Sequence, residues 1–215
     1  MKVKWLGHSC FLVTSKGGVR IITDPYAVGG DIKYSPIKET ADIVVVSHGH
    51  SDHSNVSAVQ GKPAVVEGSG TKTARGIQFR GIAAYHDASH GEQRGPNTIF
   101  CFNVDGLKLC HLGDLGHVLN PGQVNEIGAI DILFIPVGGF YTIDAPVASQ
   151  VCDQLKPKVV IPMHFKTPRC AYPIAGVEDF LKGKKNVRKV GDSEAEFERE
   201  RLPVATEIVL LQPAL

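Results

Sequence analysis

No stretch of this 215-residue chain approaches the ~20 consecutive apolar residues that a helix needs to cross a bilayer. A helical membrane protein is excluded. Cysteine is scarce: Cys10, Cys101, Cys110, Cys152 and Cys170 are odd in number, widely spaced and free of any C-x-x-C pair. That argues against a disulfide framework or a thiolate zinc site and leaves reduced, mostly buried thiols. An excess of one charge is missing too, since 23 Lys and Arg against 22 Asp and Glu leave a formal charge of +1. Nucleic-acid and membrane-surface binders usually show a basic excess or a basic stripe. Only Lys182 to Lys189 is locally basic, and it reads as a solvated helix end and turn. The first residues alternate as Met-Lys-Val-Lys-Trp-Leu, a strand pattern without the apolar core of a signal peptide, which places the expected start of the chain in the cytoplasm. There is no internal repeat and no low-complexity tract. The length suits one domain spanning 1–215.

What is present is a series of short apolar strands. Lys2 to Leu6, Cys10 to Thr14 and Val19 to Thr23 come first, the last two joined by the Lys16-Gly17-Gly18 turn. Asp24-Pro25 closes the third, and Ile43 to Ser47 follows a loop marked by Gly29, Gly30 and Pro36. Further strands are expected at Ala64 to Glu67, Ile77 to Phe79, Gly81 to Tyr85, Thr98 to Val104 and Leu107 to Leu112, with Asp105-Gly106 as a two-residue hairpin turn. Helix and strand then alternate. Gly122 to Ile127, Asp144 to Leu155 and Val177 to Lys182 read as helices, the second capped by Asp144; Ile132 to Val137, Val159 to Met163 and Glu207 to Leu211 read as strands. A short helix is also expected at Asn55 to Val59. The result is an α/β architecture with mixed sheets.

The polar residues are placed tellingly. His48, His50, Asp52 and His53 put four potential ligands into six residues on the turn leaving a buried strand. As core this would be costly, because each imidazole needs a partner and the carboxylate is desolvated; a bound cation removes both objections. Imidazole nitrogen and carboxylate oxygen suit zinc, and also manganese or iron. Asp24, His48, His86, Asp114 and His164 each lie just past the C-terminal end of an apolar strand, where open α/β sheets place their ligand sites.

Asp24 after a strand, His48-x-His50-x-Asp52-His53, then His86, Leu112-Gly113-Asp114 and Pro162-Met163-His164 resemble, in order and position, the motifs of the metallo-β-lactamase superfamily. The openings Trp5-Leu6-Gly7-His8 and Thr23-Asp24-Pro25 are similar to the branch containing ascorbate-6-phosphate lactonases. The resemblance implies an αβ/βα four-layer sandwich with mixed sheets and two divalent metal ions at one edge, zinc favoured, with manganese or iron as alternatives. It implies His48, His50 and His86 around one metal, Asp52, His53 and His164 around the second, and Asp114 bridging, with Asp24 orienting the histidine loop from behind. Seven ligands exceed one tetrahedral zinc and suit a pair roughly 3.5–4 Å apart. A metal-bridging hydroxide, with Asp52 and Asp114 in the catalytic machinery, would then attack a small anionic substrate at a phosphodiester or lactone bond.

Other residues are candidates for the rim. His8 is expected near Asp24 or the metal loop, in a supporting role. His90 competes with His86 as ligand and is otherwise a candidate for substrate contact or proton transfer; His86 is preferred as ligand because it directly leaves a strand. Arg94 and Asn97 lie in the following loop, where arginine suits a phosphate or carboxylate; His117 and Tyr141 are further candidates for substrate contact, and His111 for a hydrogen-bonded interior position. The expected partner is a small molecule, with nucleic acid and membrane disfavoured and a homo-oligomer allowed. The alternatives are a non-catalytic metal-binding or scaffold member and an RNA-processing nuclease. An oxygen-reducing diiron role is disfavoured, since those members carry glutamate where His50 stands.

Overall fold

A computed structural model of residues 1–215 resolves these segments into two mixed sheets. Strands β1 (Lys2–Gly7), β2 (Cys10–Thr14), β3 (Arg20–Thr23), β4 (Ile43–Val46) and β5 (Ala64–Glu67) form most of the first. β1 to β3 pair antiparallel, while β3, β4 and β5 run parallel. The second sheet contains β6 (Gly70–Ala74), β7 (Ile77–Tyr85), β8 (Pro96–Val104), β9 (Leu107–His111), β10 (Ile132–Pro136), β11 (Val159–Met163), β12 (Val187–Lys189) and β14 (Glu207–Leu210). Its order is β12-β14-β11-β10-β9-β8-β7-β6, antiparallel from β6 to β9 and parallel beyond. β13 (Glu194–Glu196) returns to the first sheet and pairs with β1.

Four strands depart from the sequence reading. β6, β12 and β13 were not expected, and the separate strands at Ile77 to Phe79 and Gly81 to Tyr85 are one continuous β7. Gly81 does not break β7, because its missing side chain leaves room for the backbone of Gly68 and Ser69. Part of the basic stretch from Lys182 to Lys189, expected as helix end and turn, is β12, an edge strand carrying Arg188 and Lys189 outward.

The sheets meet through apolar side chains at alternate positions. Phe11 of β2 lies 4.5 Å from Phe134 of β10, and Trp5 packs 5.1 Å from Phe165. Helices α1 (Pro121–Ile127), α2 (Ala145–Leu155) and α3 (Val177–Leu181) bury their apolar residues in this same core. α1 starts with a reciprocal Asn120/Gln123 capping box, and Asp144 caps α2 through Val147 N. The other face of the first sheet is covered without an α-helix. Tyr26, Ile32, Tyr34 and Ile37, from the segment between β3 and β4, pack there on Leu6, Leu12, Ile22 and Val44. No helix is long and apolar enough to cross a membrane.

Candidate metal centre

The sandwich gathers its polar residues at one edge because β3, β4, β10 and β11 are parallel within their sheets and end there together. Each of Asp24, Gly113 and His164 turns the chain with positive φ, at 40°, 55° and 50°. Gly113 is required: a Cβ there would collide with the Asn97 carboxamide and Ser47. This turn delivers Asp114.

Asp114 lies at the centre. Its Oδ2 is 3.1 Å from His86 Nε2, 3.2 Å from His53 Nε2, 3.3 Å from His164 Nε2 and 3.9 Å from His48 Nε2. Two sets of converging ligand atoms flank it, His48 with His50 and His86 on one side, Asp52 with His53, His164 and His8 on the other. The first matches the expected triad; the second contains the expected triad and adds His8. His90 belongs to neither, being exposed and stacked edge-on over Tyr85.

The other ring nitrogens explain why these imidazoles face inward. His86 Nδ1 donates to the Tyr141 carbonyl, His53 Nδ1 to Asp24 Oδ2, and His48 Nδ1 to Ser47 Oγ, which itself donates to Asp24. A carbonyl or carboxylate oxygen can only accept, so for His86 and His53 the proton on Nδ1 follows from the partner. The Nε2 atoms are thereby turned on the Asp114 carboxylate, an arrangement that calls for positive charge between ring and anion, from a proton or from a cation.

Titration behaviour divides the rings: against burial, Asp114 raises His86. Burial, and then His53, push His48 down to about 3, while burial and His86 lower His50, so both rings are neutral and ligand-competent at pH 7. Burial works against ionisation of Asp114, but His164 and His53 offset it and hold the carboxyl well below the usual range. His53 is pulled the other way. Against strong desolvation, Asp114 and then Asp24 raise it well above the ordinary histidine value. Asp114 Oδ1 and His53 Nε2 are buried without an aligned hydrogen-bond partner, although His53 Nε2 is close to Asp114. The ionised Asp114, the neutral His48 and His50 rings and two orphaned buried atoms fit a divalent cation.

Behind the cluster, Asp24 is wholly buried and accepts from Ser47 N at 2.7 Å, Ser47 Oγ at 2.7 Å, His53 Nδ1 at 3.1 Å and His111 Nε2 at 2.7 Å. His111 reaches across from β9, so this contact joins the two sheets. Of the two partners expected for His8, Asp24 and the metal loop, it takes the loop, lying 3.2 Å from Asp52 Oδ2. Burial and the neighbouring His164 push it down to about 4.

A cavity of about 250 Å³ opens over the cluster, lined by His50, Asp52, His86, Asp114 and His164 with Arg94, Tyr141 and Tyr172. The Arg94 guanidinium sits 5.5 Å over the Tyr141 ring, which meets Tyr172 edge-on at 5.3 Å. Arg94 also borders an adjoining groove beside His48, His50 and Glu67. Two candidates for substrate contact point elsewhere. Asn97 is buried, its amide donating to Leu112 O and its oxygen accepting from Asp114 N, so it braces the Asp114 turn. His117 accepts from Tyr85 N and donates to Val118 O, and so leaves no free ring nitrogen.

Tyr172 and Asp87 were missed by sequence reasoning. Tyr172 lies in a segment without regular structure, where no periodicity flags it. Asp87, adjacent to His86, accepts from the backbone amides of Ser89, Gly91, Gln93 and Arg94 and so shapes the loop that carries Arg94. The Asx-turn potential of Asp-x-Ser was the available signal.

The chain is similar to known metal-dependent hydrolases. A family model described as a beta-lactamase superfamily domain matches residues 2–164. A UPF0173 metal-dependent hydrolase of Carboxydothermus hydrogenoformans is 32% identical, over 78% of this chain and 85% of its own, and one from Archaeoglobus fulgidus is 28% identical over 86% and 91%. A Thermotoga maritima crystal structure, described as a candidate Zn-dependent hydrolase of the metallo-β-lactamase superfamily, is 38% identical, with a TM-score of 0.80 over 98% of this chain and 97% of its own.

Proposed function

This chain belongs to the metallo-β-lactamase superfamily, and from that premise we propose that it is a dinuclear metal-dependent hydrolase acting on a small anionic substrate at a phosphodiester or lactone bond. The observation carrying this reading is Asp114, whose one oxygen faces four imidazole nitrogens while the other is buried without a partner. His48, His50 and His86 would hold one divalent cation, Asp52, His53 and His164 the second, with Asp114 between them. His8 stands behind Asp52. Zinc is the first choice, with manganese or iron accepted by the same donors. Such a pair, when bound, supplies an activated water and neutralises charge developing on oxygen.

The protein's own residues do the rest. Arg94, supported by the Tyr141 ring, presents its guanidinium to a phosphate or carboxylate at the cavity mouth. Tyr172 borders the same mouth, with its hydroxyl close to Asp52. A 250 Å³ cavity admits a small molecule, and a formal charge of +1 supplies no extended basic groove for RNA. Similarity of Trp5-Leu6-Gly7-His8 and Thr23-Asp24-Pro25 to the ascorbate-6-phosphate lactonase branch supports a lactone or sugar-phosphate-like substrate. The free cysteines support a reducing, cytoplasmic setting.

The test combines elemental analysis with a screen of phosphodiester, lactone and thioester substrates on wild type, Asp114→Asn and Arg94→Ala. Two metals per chain, turnover abolished by Asp114→Asn, and a raised KM in Arg94→Ala for anionic substrates alone are expected. Equal rates in wild type and Asp114→Asn would leave a metal-binding scaffold as the reading. Tight binding of structured RNA without small-molecule turnover would replace it with a nuclease.

A further inference from the structure

Away from the metal cluster, one row of side chains crosses the helix-covered face of the second sheet. Register places Arg80 of β7 opposite Cys101 of β8, and Cys101 opposite Cys110 of β9. The alternate row, Phe100, His111 and Phe134, points inward, where Phe134 meets Phe11. The cysteine row therefore faces out of the sandwich.

Hairpin geometry fixes how close the two cysteines come. Asp105 and Gly106 both have positive φ, 53° and 78°, as a two-residue type I′ turn requires. Such a loop closes on a hydrogen-bonded pair, here Val104 with Leu107, and antiparallel pairs alternate along the ladder. Counting back, Cys101 and Cys110 form a non-hydrogen-bonded pair. In that pair type the Cα atoms stand about 4.5 Å apart, within the roughly 4.4–6.8 Å that a disulfide spans.

The two thiols are unequal. Cys110 is fully buried, whereas Cys101 is half-buried and borders a groove of about 600 Å³ together with Arg80 and Lys108. The Cys110 sulfhydryl and, against burial, the Arg80 guanidinium lower the Cys101 thiol, while burial and Cys101 push Cys110 well up. Cys152, the other half-buried cysteine, is driven by burial up to about 12.

We propose that Cys101 and Cys110 are a reversible redox pair, Cys101 attacking and Cys110 resolving, with a low-molecular-weight disulfide such as oxidised glutathione as oxidant. Cys101 loses its proton to solvent and attacks one sulfur of the external disulfide. That S–S bond breaks, and the departing half takes up a proton as free thiol. Cys110, deprotonated in turn, attacks the Cys101 sulfur of the mixed disulfide, forming the Cys101–Cys110 bond and releasing the second external thiol. Two protein thiols are oxidised and one external disulfide is reduced. Disulfides of this kind in reducing compartments are usually transient and sensing or catalytic. The pair bridges β8 and β9, and β9 is the strand that carries His111 and leads directly into Asp114.

The folded full-length protein, incubated with oxidised glutathione and followed by intact mass and peptide mapping, tests this. Wild type is expected to lose two hydrogens and yield a Cys101–Cys110 cross-linked peptide that dithiothreitol reverses. Cys110→Ser should stop at one glutathione on Cys101, and Cys101→Ser should stay unmodified while keeping its metal. Labelling of Cys152 ahead of Cys101 would overturn the proposal, as would a wild-type mixed disulfide on Cys101 that never transfers to Cys110.

Discussion

A carboxylate with four donors in a dry interior has no tolerable substitute, and Asp24 is in that position. Burial would raise its pKa, but His111 and then His53 more than offset this and keep it ionised. Asp24→Ala should therefore cost about 3–5 kcal/mol, the range for removing one partner of a buried ionic network. It should also weaken metal binding by roughly 10–100-fold, because His53 loses the acceptor that fixes its ring. Urea denaturation and metal titration measure the two effects, and wild-type metal affinity in this variant would refute the assigned role. Gly113 makes a second case. An alanine at its φ of 55° pays about 1–2 kcal/mol in backbone strain before its Cβ meets Asn97 and Ser47. Gly113→Ala should fall below wild type by more than that strain and lose metal, as thermal melts with elemental analysis would show.

Loops and strands differed in how much of them could be read from the sequence. The histidine turn was legible because its candidate ligands are nearly contiguous and follow a buried run, and Asp144 because a cap is a local device. β6 and β13 were not, since Gly70–Ala74 and Glu194–Glu196 are short and mostly exposed, and their pairing is decided by distant partners. Asn97 illustrates the converse error. A polar residue beside a glycine-rich loop looked available to substrate, yet tertiary contacts turn it inward to hold the Asp114 backbone. Asp87 organises the 87–95 loop, and its four amide donors, acting against burial, bring its carboxyl down to about 2. A pKa lower in the folded than in the unfolded state means stability present above the unfolded value near ~4 and lost as pH falls through about 2. The stability gap between wild type and Asp87→Asn should thus be constant above pH ~4 and close below it. A gap unchanged down to pH ~2 would show that the ionised form is not what the amides recognise.

For the whole molecule, we propose that residues 1–215 unfold as one unit, because strands from both ends of the chain share the first sheet. Calorimetry should give one transition. A metal present at about 100 times its Kd should raise Tm by roughly 5–10 °C per site, which a chelator reverses. No shift on chelation would separate the metal from the fold. The pairing of β1 with β13 has a kinetic side. Lys4 faces Glu194, and Trp5 N donates to Ser193 O, so the edge of the first sheet stays open until the end of the chain has been made. Contacts so far apart in sequence slow folding and leave an unpaired edge waiting during synthesis. The one tryptophan lies at that seam, buried beside Phe11 and Phe165. Its fluorescence during refolding should mark the moment the two ends of the chain come together.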